Sequence, residues 1–211
     1  NTGAPLPWPT TNDTMNEGVL VGEGGEITEA DIVFGQLVLE AFKFGSGNVP
    51  VSVELMQDSS INMAQTLGRL LGERLARIQN RLYTRGTGAS QPRGITVAAH
   101  DSGVALNGAV SYDNLVEIEH ACDPAYRTPN GRWMFHDQTL KAIKKLVDPS
   151  TLRPLWSAGM AVREPDTILG YPYTINQHMP NFVADTGDPA IVFGDLGKYM
   201  IRQVRDIQLY R

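Results

Sequence analysis

His100, His120, His136 and His178 are the four histidines of the chain, and Cys122 is its one cysteine. Suitably spaced, such residues ligate metals, move protons or act as nucleophiles. The spacing here supports none of these. No HExxH pattern occurs, and no tight His/carboxylate grouping. Glu117, Glu119 and His120 share a stretch that reads as helix, but Glu119 and His120 are adjacent and face different ways. His136-Asp137 reads as a strand-to-helix junction. Ser102, Ser111 and Ser157 lie outside any G-x-S-x-G elbow. Cys122 has no basic sequence neighbour or helix N-terminus to lower its pKa, so an inert buried thiol is expected. A single cysteine excludes an intrachain disulfide framework and a multi-Cys zinc site. Gly86-x-Gly88 and Gln91-Pro92-x-Gly94 look like a phosphate loop in composition only. A phosphate cradle precedes a helix, where free N–H groups point at the anion, whereas these glycines follow one. The expectation is no catalytic residue, no metal and no cofactor.

The remaining chemistry is ionic. The chain has 211 residues, with 18 Lys+Arg against 23 Asp+Glu, a formal charge of −5 and pI near 5.3. That balance disfavours a dedicated nucleic-acid binder, which needs a concentrated basic face. Arg69, Arg74, Arg77, Arg81 and Arg85 recur along one segment. They form either a solvated polar face or contacts with acidic groups of another subunit. Charged residues are only 19% and hydrophobic residues 42%. The chain can bury a real core, and no apolar run is long enough for a membrane helix. The absence of an opening Met and the alternating run at Met200–Arg211 suggest that both ends are cut from a longer chain.

These residues must be positioned by interleaved helices and strands without a βαβ period, which points to an α+β fold. Residues 1–16 read as an extended arm, because Pro5, Pro7 and Pro9 remove donors and fix φ; Trp8 is its anchor. Val19–Val21 and Ile32–Phe44 flank the Gly22/Gly24/Gly25 turn and read as a two-stranded hairpin. Such a hairpin needs something to pack on. After a strand-like lead-in at 49–57, Asp58, Ser59 or Ser60 can N-cap a helix. Ile61, Ala64, Leu67, Leu71, Leu75, Ile78 and Leu82 then recur at three- and four-residue steps, predicting a long amphipathic helix over 59–84. Gly68 and Gly72 on one face imply either a close neighbour or a bend. Further on, the pattern predicts a short strand at Ile95–Ala98 and a helix over 113–122 capped by Ser111 or Asp113. A buried strand at Gly131–Phe135 and a helix over 138–147 follow. Short strands at Ile168–Ile175 and Ile191–Gly194, and a last one over Lys198–Arg211, complete the pattern.

The order of these pieces resembles the major capsid protein family of tailed bacteriophages, whose fold is shared with encapsulin shells. The resemblance rests on Phe42–Val53, Glu54-Leu55 and Asp58-Ser59 leading into the long helix. Its tail at Leu82–Gly88 is followed by Gln91-Pro92-Arg93-Gly94-Ile95. Then come Trp133-Met134, Leu140, Lys144-Lys145-Leu146 and Asp148. Ile168-Leu169-Gly170-Tyr171-Pro172 follows, with Tyr173 where Val is usual. Met179-Pro180, Ile191–Asp195, Lys198-Tyr199 and Arg205 complete a match over nearly all of 17–211. Each motif alone is weak; six in order are specific.

The resemblance implies a fold with an extended loop at 17–48, a peripheral domain at 49–88 containing the spine helix, an axial domain at 89–200, and a return strand at 201–211. The extended loop, through Val19, Val21, Ile27, Ile32, Phe34, Leu37, Leu39 and Phe42, would lie on a neighbouring subunit. The helix core would be Ile61, Leu67, Leu71, Leu75, Ile78 and Leu82. Arg69, Arg74, Arg77 and Arg81 are candidate intersubunit charge contacts. The implied function is structural: self-association into hexamers and pentamers of an icosahedral shell, without enzymatic activity. Double-stranded phage DNA would be enclosed without sequence-specific binding. A scaffold, portal and decoration protein are the implied further partners, and no membrane is involved. The implied location is the virion, and the host cytoplasm during assembly. Some members crosslink a loop Lys to a neighbour's Asn, but Gly22–Asp31 contains no Lys, so no crosslink is expected. The alternatives are an encapsulin-like compartment holding enzyme cargo and a small α+β hydrolase.

Overall fold

A computed structural model describes residues 3–11, 20–24, 31–52, 54, 62–127, 130–147, 167–182 and 188–204. The chain divides into two compact units, one of Asn1–Lys43 with Ile201–Arg211 and one of Phe44–Met200.

The first unit is a two-stranded antiparallel ribbon. Strand β1 (Leu6–Thr11) pairs with β2 (Phe34–Leu39), with Leu6 opposite Leu39, Trp8 opposite Leu37 and Thr11 opposite Phe34. The segment expected to be an extended arm therefore supplies the first strand, and the hairpin partner is not Val19–Val21. Of that earlier segment, Val21 is described and lies outside any strand, while Val19 is outside the described residues. Pro7 and Pro9 concealed β1 from propensity, since proline is depleted in strands. Their spacing makes them tolerable. Both fall on alternate positions whose nitrogens face away from β2, so the ladder loses no donor. Arg202 braces the base of the ribbon, donating from Nη1 to the carbonyls of Ala4 and Leu39, each at 2.7 Å. Residues 201–204 form no strand, contrary to the expected return strand; residues 205–211 lie outside the described residues.

The second unit begins with helix α1 (Met63–Arg85). Its cap is Asn62, whose Oδ1 accepts from Gln65 N at 3.1 Å. The caps expected at Asp58–Ser60 lie outside the described residues. Gly86 ends the helix with its N–H on Leu82 O at 2.8 Å. The chain then doubles back: Gly94 N donates to Gly86 O at 2.7 Å, and Thr87 bridges Arg93. A Cβ on Gly94 would meet Gly86 N and Thr84 O at 2.5 Å. These glycines thus serve backbone contact, as the turn reading expected.

Ile95–Ala98 is one turn of helix, α2, not a strand. Local β-branching favoured the wrong state, whereas the Gly94 carbonyl accepts from Val97 and Ala98 N–H and closes the turn. Helix α3 (Tyr112–Ala121) begins in a reciprocal Ser111–Asn114 capping box. A short α4 (Pro124–Arg127) leads to β3 (Gly131–Phe135), and α5 (Asp137–Lys144) follows. The expected strand over Ile168–Ile175 is a tight hairpin instead. Strand β4 (Thr167–Ile168) and β5 (Tyr171–Ile175) are separated by Leu169 and Gly170, both at positive φ. Strand β6 (Ile191–Asp195) runs into a 3₁₀ turn at Leu196–Lys198. This replaces the start of the strand expected from Lys198 onward.

The sheet order is β4-β5-β3-β6, with β3 parallel to β5 and antiparallel to β6. Alternation along β3 buries Trp133 and Phe135 completely. Leu115 of α3 and Leu140 and Ile143 of α5 join them in one core. Trp133 Nε1 donates to Ile168 O at 3.0 Å, so the largest core ring carries no unpaired donor.

Candidate assembly surfaces

The ribbon holds apolar residues where a self-contained sheet would bury them. Its alternation places Leu6, Trp8, Leu37 and Leu39 on one face and Phe34, Gln36 and Val38 on the other. Phe34 is 72% exposed, Val33 76% and Ile32 52%. Val21, Leu37 and Trp8 are also exposed, while Leu39 and Phe42 are half-buried. Of the loop residues expected to contact a neighbour, Val19 and Ile27 lie outside the described residues. Leu6, Trp8 and Val38 were missed as members of this surface. The 6–8–10 alternation opposite 35–37–39 was the available signal, masked by the prolines between.

Helix α1 presents its apolar stripe incompletely covered. Leu67, Leu71, Leu75, Ile78 and Leu82 are each half-buried, and Thr84 is the buried residue of the helix; Ile61 lies outside the described residues. A Cβ at Gly68 or Gly72 would meet nothing within 4 Å, so both are open positions in the single chain. The charged residues divide. Arg69 and Arg77 both reach Glu73, at 3.2 and 3.3 Å, as exposed i,i+4 pairs within the helix. Such pairs contribute little. Arg85 reaches Asp188 at 2.8 Å. Arg74 and Arg81 form no ion pair among the described residues. Arg81 borders a hollow of about 360 Å³ with Arg85, Gln177 and His178.

Near its C-terminal end the helix is fastened to the sheet by a polar cluster that sequence reasoning did not find. Asn176 Nδ2 donates to Thr84 Oγ1 at 2.8 Å, and Asn80 Nδ2 donates to Asn176 Oδ1 at 3.3 Å. Thr84 Oγ1 donates back to Asn80 O at 2.7 Å, and Thr96 Oγ1 donates to Thr84 O at 2.8 Å. Asn176 N binds Phe135 O at 3.0 Å, which ties the cluster to β3. The partners are up to 96 residues apart, beyond any local pattern.

The residues with chemical potential are occupied structurally. His136 Nδ1 accepts from Gln138 N at 3.0 Å and caps α5. His100 Nδ1 contacts Asp101 O at 2.6 Å. Cys122 is half-buried, and burial pushes its thiol pKa up; Arg127 opposes this and Asp123 adds to it. It borders an open cleft of about 810 Å³ along β6. Among the described residues no group of His, Cys, Asp and Glu is arranged to hold a metal ion. No described helix is long and apolar enough to cross a membrane.

The family model for the phage capsid family matches residues 1–211. The chain belongs to the phage capsid family. It is a capsid structural protein, not an enzyme. Among solved structures, the capsid of a native GTA particle matches at TM-score 0.72 and 22% identity, covering 90% of this chain and 68% of that one. The capsid of an empty GTA particle gives 0.71 and 23%, with coverage of 92% and 69%. A chain of Mycobacterium phage Adephagia gives 0.60 and 14%, with 92% and 64%. These likenesses show the shared fold. No curated protein matches the chain.

Proposed function

We propose that this capsid protein builds an icosahedral shell of hexamers and pentamers that encloses double-stranded DNA, with the ribbon of one copy seated on another copy. The exposure of Phe34, Val33 and Ile32 together with Trp8 carries this reading. A monomer with that ribbon as its final surface would leave a costly apolar patch in water. The half-covered stripe of α1 offers apolar surface of the kind the ribbon needs. In this reading residues 49–88 serve as the peripheral part and 89–200 as the axial part. Weak individual contacts suffice, because closed symmetry repeats each of them many times. The net charge of −5 suits a container that must not adhere to its contents.

Electron microscopy and sedimentation of the purified chain test the reading. Rings or shells are expected for the native sequence. Trp8→Ser combined with Phe34→Ser should leave folded subunits that sediment alone. Shells forming equally well from this double variant would remove the ribbon from the interface. Denaturing gels should show single subunits, since the loop tip carries no Lys for crosslinking.

A further inference from the structure

Two charged stripes on the second unit match each other in spacing and oppose each other in sign. Helix α3 buries Leu115 and turns Asp113 and Glu117 outward; both are exposed. Helix α5 buries Thr139, Leu140 and Ile143 and turns Lys141 outward, with Lys145 at its C-cap; both lysines are exposed. Each pair is four residues apart, which sets about 6 Å between the members of a pair. Two carboxylates and two ammonium groups at the same interval can align across a helix–helix contact. Asp113, Glu117, Lys141 and Lys145 form no ion pair among the described residues. Other charges stand nearby. Asp137 lies one turn before Lys141, Lys144 sits beside Lys145, and His120 and Asp123 follow Glu117. The Glu119 carboxylate is already taken by Arg127 at 3.9 Å.

We infer that the acidic stripe of α3 on one copy docks on the basic stripe of α5 of the next copy, as a charge-matched contact within the ring. This rests on the shell reading above and names the surface that closes its capsomers. Unlike patches on one chain allow a head-to-tail contact, which the shell reading requires, and a head-to-tail contact that closes makes a ring. An isologous dimer could also join acidic stripe to basic stripe, but it would use both stripes of both copies in one contact and leave none free to continue a ring. Single exposed ion pairs are weak and screened by salt. The contact therefore sets register and ring closure, while apolar burial elsewhere supplies most of the affinity.

Charge reversal tests this on the full chain, with circular dichroism verifying the fold of each variant. D113K/E117K alone and K141E/K145E alone should each raise the concentration for half-assembly by about tenfold or more at low salt. All four substitutions in one chain should restore assembly of both ring sizes. An equal mixture of the two double variants should restore only even-membered rings, since acidic and basic copies must alternate. Native assembly left unchanged by either reversal overturns the contact and leaves the shell reading standing. Loss without rescue in the fourfold variant also overturns it, and points the lysines toward another ligand such as nucleic acid. A native chain that stays monomeric at every concentration sinks the shell reading and this contact together.

Discussion

The ribbon and the four-stranded sheet are both made of aromatic and branched residues, and they place them in opposite environments. In the sheet, Trp133 is fully buried in one core with Leu115 of α3 and Leu140 and Ile143 of α5, with its indole N–H satisfied by Ile168. In the ribbon, Trp8 is 41% exposed, opposite Leu37. A sheet face becomes a core only when a second layer covers it. The sheet acquires that layer from its own helices, whereas the ribbon has two strands and no layer among the described residues of its unit. Tryptophan content says how much apolar surface a segment offers. It does not say whether the same chain covers that surface.

The contrast can be broken most directly at its two tryptophans. Trp133→Ala should cost about 3–5 kcal/mol of unfolding free energy, read by denaturant titration, because the ring leaves a cavity the core cannot fill. A loss below about 1 kcal/mol would mean that the sheet is not the core of this unit. Asn176→Ala should come next, at about 1–3 kcal/mol, since Thr84 and Asn80 lose their shared partner. Leu75→Asp separates the half-covered helix from the core. The residue is only partly buried, so about 1 kcal/mol is expected in the isolated subunit. A larger penalty should appear in assembly, measured by sedimentation. Trp8→Ala should change the stability of the isolated subunit by less than about 1 kcal/mol while impairing assembly. Equal losses at Trp8 and Trp133 would erase the distinction between the regions.

The smallest expected effect is with pH. Burial raises the phenol pKa of Tyr83 and Tyr199 and the thiol pKa of Cys122 in the folded chain. The folded state therefore holds these protons more tightly than the unfolded one. Their contribution is complete below the ordinary values and is lost as pH rises through the raised ones. Stability should decline in alkaline solution, and Cys122 should alkylate with a midpoint above that of a free thiol. A midpoint below it would contradict the burial of the thiol.

Elements whose periodicity survives on its own were legible in the sequence. The apolar series of α1 from Leu67 to Leu82, the Ser111 cap of α3 and the GRWMF strand all appear near their expected places. Expectations failed where distant or backbone interactions override local preference. Ile95–Ala98 is β-branched yet helical, because Gly94 O organises the turn and Thr96 finds Thr84 O. Leu169-Gly170 folds an apparent single strand into a hairpin. The first ribbon strand was obscured by prolines that disfavour strands on average and are harmless at outward positions. Phe34, Leu37 and Leu39 were identified from the sequence as contact candidates, but their partners in β1 were not. The Asn80–Thr84–Asn176 cluster depends on two stretches more than 90 residues apart meeting, which no local spacing encodes.

Pro7 and Pro9 have an effect beyond the ribbon's own ladder. They leave one long border of the ribbon without amide hydrogens at alternate places, so an incoming strand cannot zip along it. Newly made copies crowding together are denied half of the routes to indefinite stacking, and the sticky side chains are kept for a partner that fits them.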